Sequence, residues 1–143
     1  MKKQFTKAFF IIFFSSLLFA CAENAIKPEN RSPDQNEIVA YLDELQQKWN
    51  SKDQTGFLAL WHEKSRIMYS KERIVVSKEE FAYILPERMK ISPVMKLKII
   101  DIQVNGNSAT VKTSGSPNQR DTIKMNMKLV RENDEWYFMS WDY

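Results

Sequence analysis

Residues 120–143 run RDTIKMNMKLVRENDEWYFMSWDY. Ile123, Met125, Met127 and Leu129 alternate with Thr122, Lys124, Asn126 and Lys128. A period of two puts the apolar set on one face of a strand. Asn133-Asp134 then supplies a turn. Trp136 to Tyr143 follows with large side chains on both faces. The stretch predicts a half-buried strand leading into a central one, with the rest of the fold laid against it.

The segment before it reads as another hairpin. Asn105-Gly106 is the preferred central pair of a two-residue turn in which both residues take positive φ. That turn pairs Val104 with Asn107, Ile102 with Ala109 and Ile100 with Val111. Upstream the apolar parity flips, because Met95, Leu97 and Ile99 are odd while Ile100, Ile102 and Val104 are even. A regular strand cannot change faces, so a β-bulge is predicted near Ile99–Ile100, bending the sheet. Ser114-Gly115-Ser116-Pro117-Asn118 marks the turn into the last hairpin, completing a four-strand antiparallel meander.

Further back the period changes to that of helices. Ser32, Pro33 and Gln35 form a capping box with proline in the first helical position. Ile38, Leu42, Leu45 and Trp49 then make one apolar stripe. Asp53 caps a short second helix carrying Phe57, Leu58 and Trp61. Residues 66–70 (RIMYS) and 73–76 (RIVV) read as two short strands. Ser77 and Glu80 form a second capping box before Phe81, Ile84 and Leu85, and Pro86 is expected to end or kink that helix. The fold class is α+β: three N-terminal helices on a strongly curved, mostly antiparallel sheet of about six strands.

Residues 1–21 set a different context. Lys2, Lys3 and Lys7 precede an apolar run from Ala8 to Phe19, interrupted by Ser15 and Ser16. That is the charge and length pattern of an export signal, too short for a comfortable membrane span. The segment ends Leu18-Phe19-Ala20-Cys21 and resembles the lipobox of bacterial lipoproteins, in which the cysteine is acylated and anchors the chain. Phe19 departs from the small or β-branched residue usual there. Two other outcomes remain open: cleavage after Ala22, which would free the domain, or retention of Cys21 in an uncleaved anchor. The expected layout is a signal segment 1–21, a flexible tether 22–31 and one domain 32–143. The expected location is a bacterial cell envelope, lipid-anchored through Cys21, or secreted or periplasmic if cleavage falls after Ala22.

Charge excludes some functions. Formal net charge is +3, but removing the three leader lysines from 21 Lys and Arg leaves 18, equal to the 18 Asp and Glu. A nucleic-acid-binding domain would keep a basic surplus, so no nucleic-acid partner is expected. Cys21 is the single cysteine, so no intrachain disulfide forms. His62 is the single histidine, which rules out two-imidazole zinc sites. No G-x-S-x-G elbow, P-loop or dinucleotide fingerprint is present. No cofactor or metal is expected.

Five groups of residues carry a resemblance to a known superfamily: Trp49 with Lys52-Asp53, Phe57 to Trp61, residues 77–81 (SKEEF), Asp101 to Val104 with Ala109 and Val111, and Glu135 through Trp141. In this order they resemble the NTF2-like superfamily of cone-shaped α+β domains, which includes SnoaL-like and cystatin-like members. The resemblance covers residues 33–143. It implies the fold and an apolar pocket at the cone's open end, but no one activity, since such a fold serves enzymes, binding modules and assembly domains. The steroid-isomerase branch implies a carboxylate base where Tyr69 stands and a tyrosine oxyanion donor near Leu45. Its second oxyanion acid would fall near Asn126. None of the three matches, so that chemistry is not expected.

Trp49, Trp61, Tyr69, Phe81, Met125, Met127 and Trp141 come from elements that should face one another. They either fill the core or line a cavity for a small apolar ligand, with Asp142 at its rim or turned to solvent. The exposed sheet face offers a surface for a homodimer. The leading expectation is a non-enzymatic envelope lipoprotein binding a small apolar ligand or a protein partner. The alternatives are a SnoaL-like isomerase or hydrolase using Asp142, Tyr69 or His62, and a purely structural dimerising module.

Overall fold

The computed structural model describes residues 27–68, 74–92, 94–115 and 123–142. A 3-10 turn, Pro28–Asn30, leads into helix α1 (Pro33–Asn50) and helix α2 (Gln54–Ala59). Strands β1 (Trp61–Met68) and β2 (Val75–Ser77) follow, then helix α3 (Lys78–Ile91). Four strands complete the fold: β3 (Leu97–Asn105), β4 (Ser108–Gly115), β5 (Ile123–Glu132) and β6 (Glu135–Asp142).

Both long helices start as their capping residues dictate. Ser32 Oγ accepts the Gln35 N–H while Gln35 Oε1 accepts the Ser32 N–H, and Ser77 and Glu80 do the same for α3. The stripe Ile38, Leu42, Leu45, Trp49 is buried. Each such side chain stabilises the fold by about 1.5–3 kcal/mol. Asp53 Oδ1 caps α2 through the Gly56 N–H.

Two expectations about these elements are corrected. Pro86 does not end α3, which runs on to Ile91. Phe81, Leu85 and Met89 form a buried stripe across the proline. Their combined burial outweighs a helix-interior proline's cost of about 3 kcal/mol. Trp61 and the residues after it belong to a strand, not to α2, and β1 starts five residues earlier than its apolar pattern suggested.

The six strands form one sheet in the order β2-β1-β6-β5-β4-β3. β6 is central, parallel to β1 and antiparallel to β5. The predicted bulge is present, since Ile99 faces Thr113 and Asp101 faces Lys112, leaving Ile100 as the extra residue. A second bulge lies in β6, where Phe138 faces Leu129 and Ser140 faces Lys128, leaving Met139 extra. This irregularity turns Trp136, Phe138 and Trp141 all to the buried side, while Tyr137 takes the other face, so large side chains do stand on both.

The Asn105-Gly106 turn is displaced by one residue. Asn105 pairs Ser108, Val104 pairs Ala109 and Ile102 pairs Val111, so Gly106 and Asn107 form the loop and Gly106 takes φ 56°. The strand partners differ by two positions from those expected, an even slip that leaves every side chain on its intended face. The pair with two positive φ values is instead Asn133 (53°) and Asp134 (65°), joining β5 to β6. Ser114 and Gly115 belong to β4, and the rest of that predicted turn lies outside the described residues.

Helix α1 also covers the sheet's edge. Gln35 Nε2 donates to the Ile102 carbonyl at 2.8 Å, and Gln46 Oε1 accepts the Leu97 N–H at 2.7 Å. Asn50 accepts the Met95 N–H and donates to the Met95 carbonyl. Gln35 and Gln46 therefore occupy backbone groups that the edge strand would leave open to another chain, and Asn50 holds the segment just before it.

Candidate functional site

The helices and the concave sheet face enclose an aromatic core. Phe57 lies against Trp49, Trp61 and Phe81, with centroid distances of 5.4, 6.1 and 6.4 Å. Trp61 continues to Phe138 at 5.3 Å and stacks on Trp141 at 6.1 Å with an interplanar angle of 7°. Trp141 Nε1 donates to Met125 Sδ at 3.0 Å, a weak acceptor. Thr113 lies opposite Met125 across β4 and β5.

The structure thus brings together Trp49, Trp61, Phe81, Met125, Met127 and Trp141, all buried. Trp49 Nε1 donates to the Ser92 carbonyl at 2.7 Å, tying α1 to the end of α3. Tyr69 and Cys21 lie outside the described residues. Asp142 is not with this group; it faces Asn126 on the outer side of the sheet.

Two residues of the concave face were missed by sequence reasoning. Thr113 and Ser65 are the buried polar residues of the core, at 0% and 1% exposure. Neither hydroxyl has a hydrogen-bond partner, and neither has the Trp61 indole N–H. Buried polar groups are rarely left this way, and each one costs about 1–3 kcal/mol. Ser65 stands on β1 two residues before Ile67, which pairs with Trp141, and Thr113 stands on β4, three strands across the same concave face. Thr113 was legible as a polar residue at the inward parity of Ala109 and Val111. Ser65 was not, because its segment was not recognised as strand.

Tyr41 closes the other side of this core. Its hydroxyl donates to the Leu60 carbonyl at 2.9 Å, and its ring stacks on Phe138 at 5.1 Å. Burial first, then the carboxylate of Glu44, pushes its pKa above the ordinary tyrosine value. His62 sits elsewhere, on β1 beside the β5–β6 hairpin. Its Nδ1 accepts the Lys64 N–H at 3.0 Å, so Nε2 carries the proton and donates to Glu132 at 3.1 Å.

The outer face is polar. Lys98, Lys112, Lys124 and Lys128 are exposed there, with Arg66 beside Ser140 in the same row as Lys128. A hollow of about 440 Å³ lies among Ile100, Asp101, Lys112, Thr113, Lys124, Met125 and Asn126, next to the β3 bulge. Among the described residues no group of three or more His, Cys, Asp or Glu is placed to hold a metal ion. No described helix is long and apolar enough to cross a membrane.

Comparison with known proteins places this geometry. No protein-family model matches the chain, and no curated protein sequence matches it. Solved structures do. A conserved protein from Planctomyces limnophilus superposes with TM-score 0.66 at 14% identity, over 78% of this chain and 94% of that one. A protein of unknown function with a cystatin-like fold from Nostoc punctiforme gives 0.65 at 16% identity, over 78% and 90%. An NTF2-like protein of unknown function from Shewanella oneidensis gives 0.61 at 17% identity, over 76% and 96%. Identities this low carry the architecture and no activity. This chain has the NTF2-like fold, a cystatin-like α+β cone of helices on a curved, mostly antiparallel sheet.

Proposed function

We propose that this is a non-enzymatic cell-envelope lipoprotein whose concave face binds a small, largely apolar molecule bearing one or two hydrogen-bonding groups. The observation that carries the reading is the set of unpartnered polar atoms, Trp61 Nε1, Ser65 Oγ and Thr113 Oγ1, on an otherwise apolar wall. A ligand that accepts from the indole and exchanges hydrogen bonds with the hydroxyls would satisfy all three, while its apolar body packs on Trp141 and Met125. His62 and Asp142 support binding over turnover, since both lie away from the concave face and neither meets a molecule held there. The leader and its Leu-Phe-Ala-Cys end support delivery to a membrane through Cys21.

Native mass spectrometry of the protein expressed with its own leader tests these points together. The expected spectrum shows an acylated chain beginning at Cys21 with a non-covalent small-molecule adduct. Thr113→Val and Ser65→Ala should each weaken retention of the adduct. A chain beginning at Glu23 without acylation would end the anchor reading. An adduct-free chain that takes up no apolar probe, judged by tryptophan fluorescence, would end the ligand reading.

A further inference from the structure

The neutral formal balance of the domain conceals a local cluster of lysines. The helical side exposes Asp43, Glu44, Glu79, Glu80 and Glu87 with Lys52 and Lys90. The outer sheet face carries Lys98, Lys112, Lys124, Lys128 and Arg66 against Asp101 and Asp142, while Glu132 and Glu135 lie at its other end, by the β5–β6 turn. Strand pairing fixes the layout. Lys98, Ser114 and Lys124 form one row, Asp101, Lys112, Asn126 and Asp142 the next, and Thr110, Lys128, Ser140 and Arg66 the third. Lys98, Lys112 and Lys128 make no ion pair among the described residues. Asp101 is already engaged by Gln103 at 2.9 Å. The hollow beside the bulge opens between Lys112 and Lys124.

We infer that this outer face docks on the anionic phospholipid surface of the membrane that holds the chain, with the hollow between Lys112 and Lys124 receiving a phosphate headgroup. The composition of the face selects the occupant. Lysine is depleted at protein–protein interfaces, and both inward-turned tryptophans of β6 are unavailable as anchors there. Lysine is well suited to phosphate as a compact charge with rotatable donors. The tether makes weak attraction sufficient. Five residues separate Cys21 from Lys27, and a chain that short reaches at most roughly 20 Å. The domain is thus held within reach of the bilayer, where effective concentration is high. The tether clause rests on the lipoprotein reading above.

The test uses the full acylated protein reconstituted into phosphatidylglycerol vesicles and, separately, phosphatidylcholine vesicles. Lysine acetylation is read residue by residue, with exposed Lys90 of α3 as internal reference. The expected result is that Lys98, Lys112 and Lys128 label about three- to tenfold more slowly on the anionic vesicles, and that protection vanishes near 1 M salt, where the screening length is about 3 Å. Replacing Lys98, Lys112 and Lys128 together by Gln should remove the remaining protection of Lys124. Flotation with neither vesicle overturns the anchor and the inference together. Flotation with both and equal labelling overturns the inference alone. Equal protection on both compositions would assign the face to a second copy of the chain and likewise overturn it.

Discussion

Thr113 concentrates the question of function in one hydroxyl. Valine has nearly the same shape, so Thr113→Val removes an unpartnered buried polar atom without opening a cavity. The empty protein should be stabilised by up to about 1–3 kcal/mol, as measured by thermal denaturation. A loss of stability would mean that the hydroxyl is satisfied within the fold. Gly115, at the end of the same strand, shows the reverse constraint. A Cβ there would lie 2.7 Å from the Lys96 carbonyl and 3.2 Å from Met125 Cε, and the nearest of these atoms is backbone. Gly115→Ala should cost about 1–3 kcal/mol by overpacking, read from the denaturant midpoint. Tyr41 makes a prediction about pH. Its folded-state pKa is raised above 10.0, chiefly by burial, so the folded chain keeps a proton that the unfolded chain loses. The stability it contributes is complete below pH 10 and declines as pH rises beyond it. In Tyr41→Phe that decline should be shallower, and the Leu60 carbonyl keeps the Phe138 N–H as a donor. An unchanged alkaline limb in denaturant titrations would remove Tyr41 as its cause.

Among the elements, α1 was the most legible, because cap, proline and stripe all agree over Ser32 to Trp49. The β3 bulge was equally legible, since the side-chain parity of Met95 to Val104 breaks at one place. The bulge at Met139 was hidden, because aromatic residues on both sides of Met139 satisfy either face and leave no parity to break. Deleting Met139 should drive Trp141 outward and yield an aggregating protein, measured by light scattering. β1 was hidden for another reason. Its N-terminal half, His62-Glu63-Lys64, is polar and lies in a break of the β1–β6 register, between the pairs Trp61–Phe138 and Arg66–Ser140. Of the site, the buried aromatics and methionines were legible as a group. Tertiary packing alone decided which tryptophan N–H would be paired. The clamp of α1 on the edge strand suggests one further measurement. Asn50→Ala leaves both polar groups of Met95 without their partner and should destabilise the domain by about 1–3 kcal/mol while promoting self-association, followed by sedimentation. Pro86→Ala should act oppositely, raising the melting temperature by restoring a backbone donor inside α3.

For the molecule as a whole, one cone carries two unlike surfaces: an aromatic interior with unpaired polar atoms, and a lysine-bearing exterior. Arg131 joins the sheet to the start of α1, contacting Asp34 at 2.8 Å and Glu37 at 2.6 Å while lying 4.5 Å from the centre of the Trp136 ring. The hydrogen bond to Asp34 is the first cause of its raised pKa. The parallel pairing of β1 with β6 has a temporal consequence. Ile67 finds its neighbour Trp141 only after more than half of the domain has been synthesised behind it. A nascent chain lacking residues 135–142 has no central strand, and its β1 and β5 edges stay apart. Such a chain cannot close its sheet, and the cone forms in a single late event once β6 has been made.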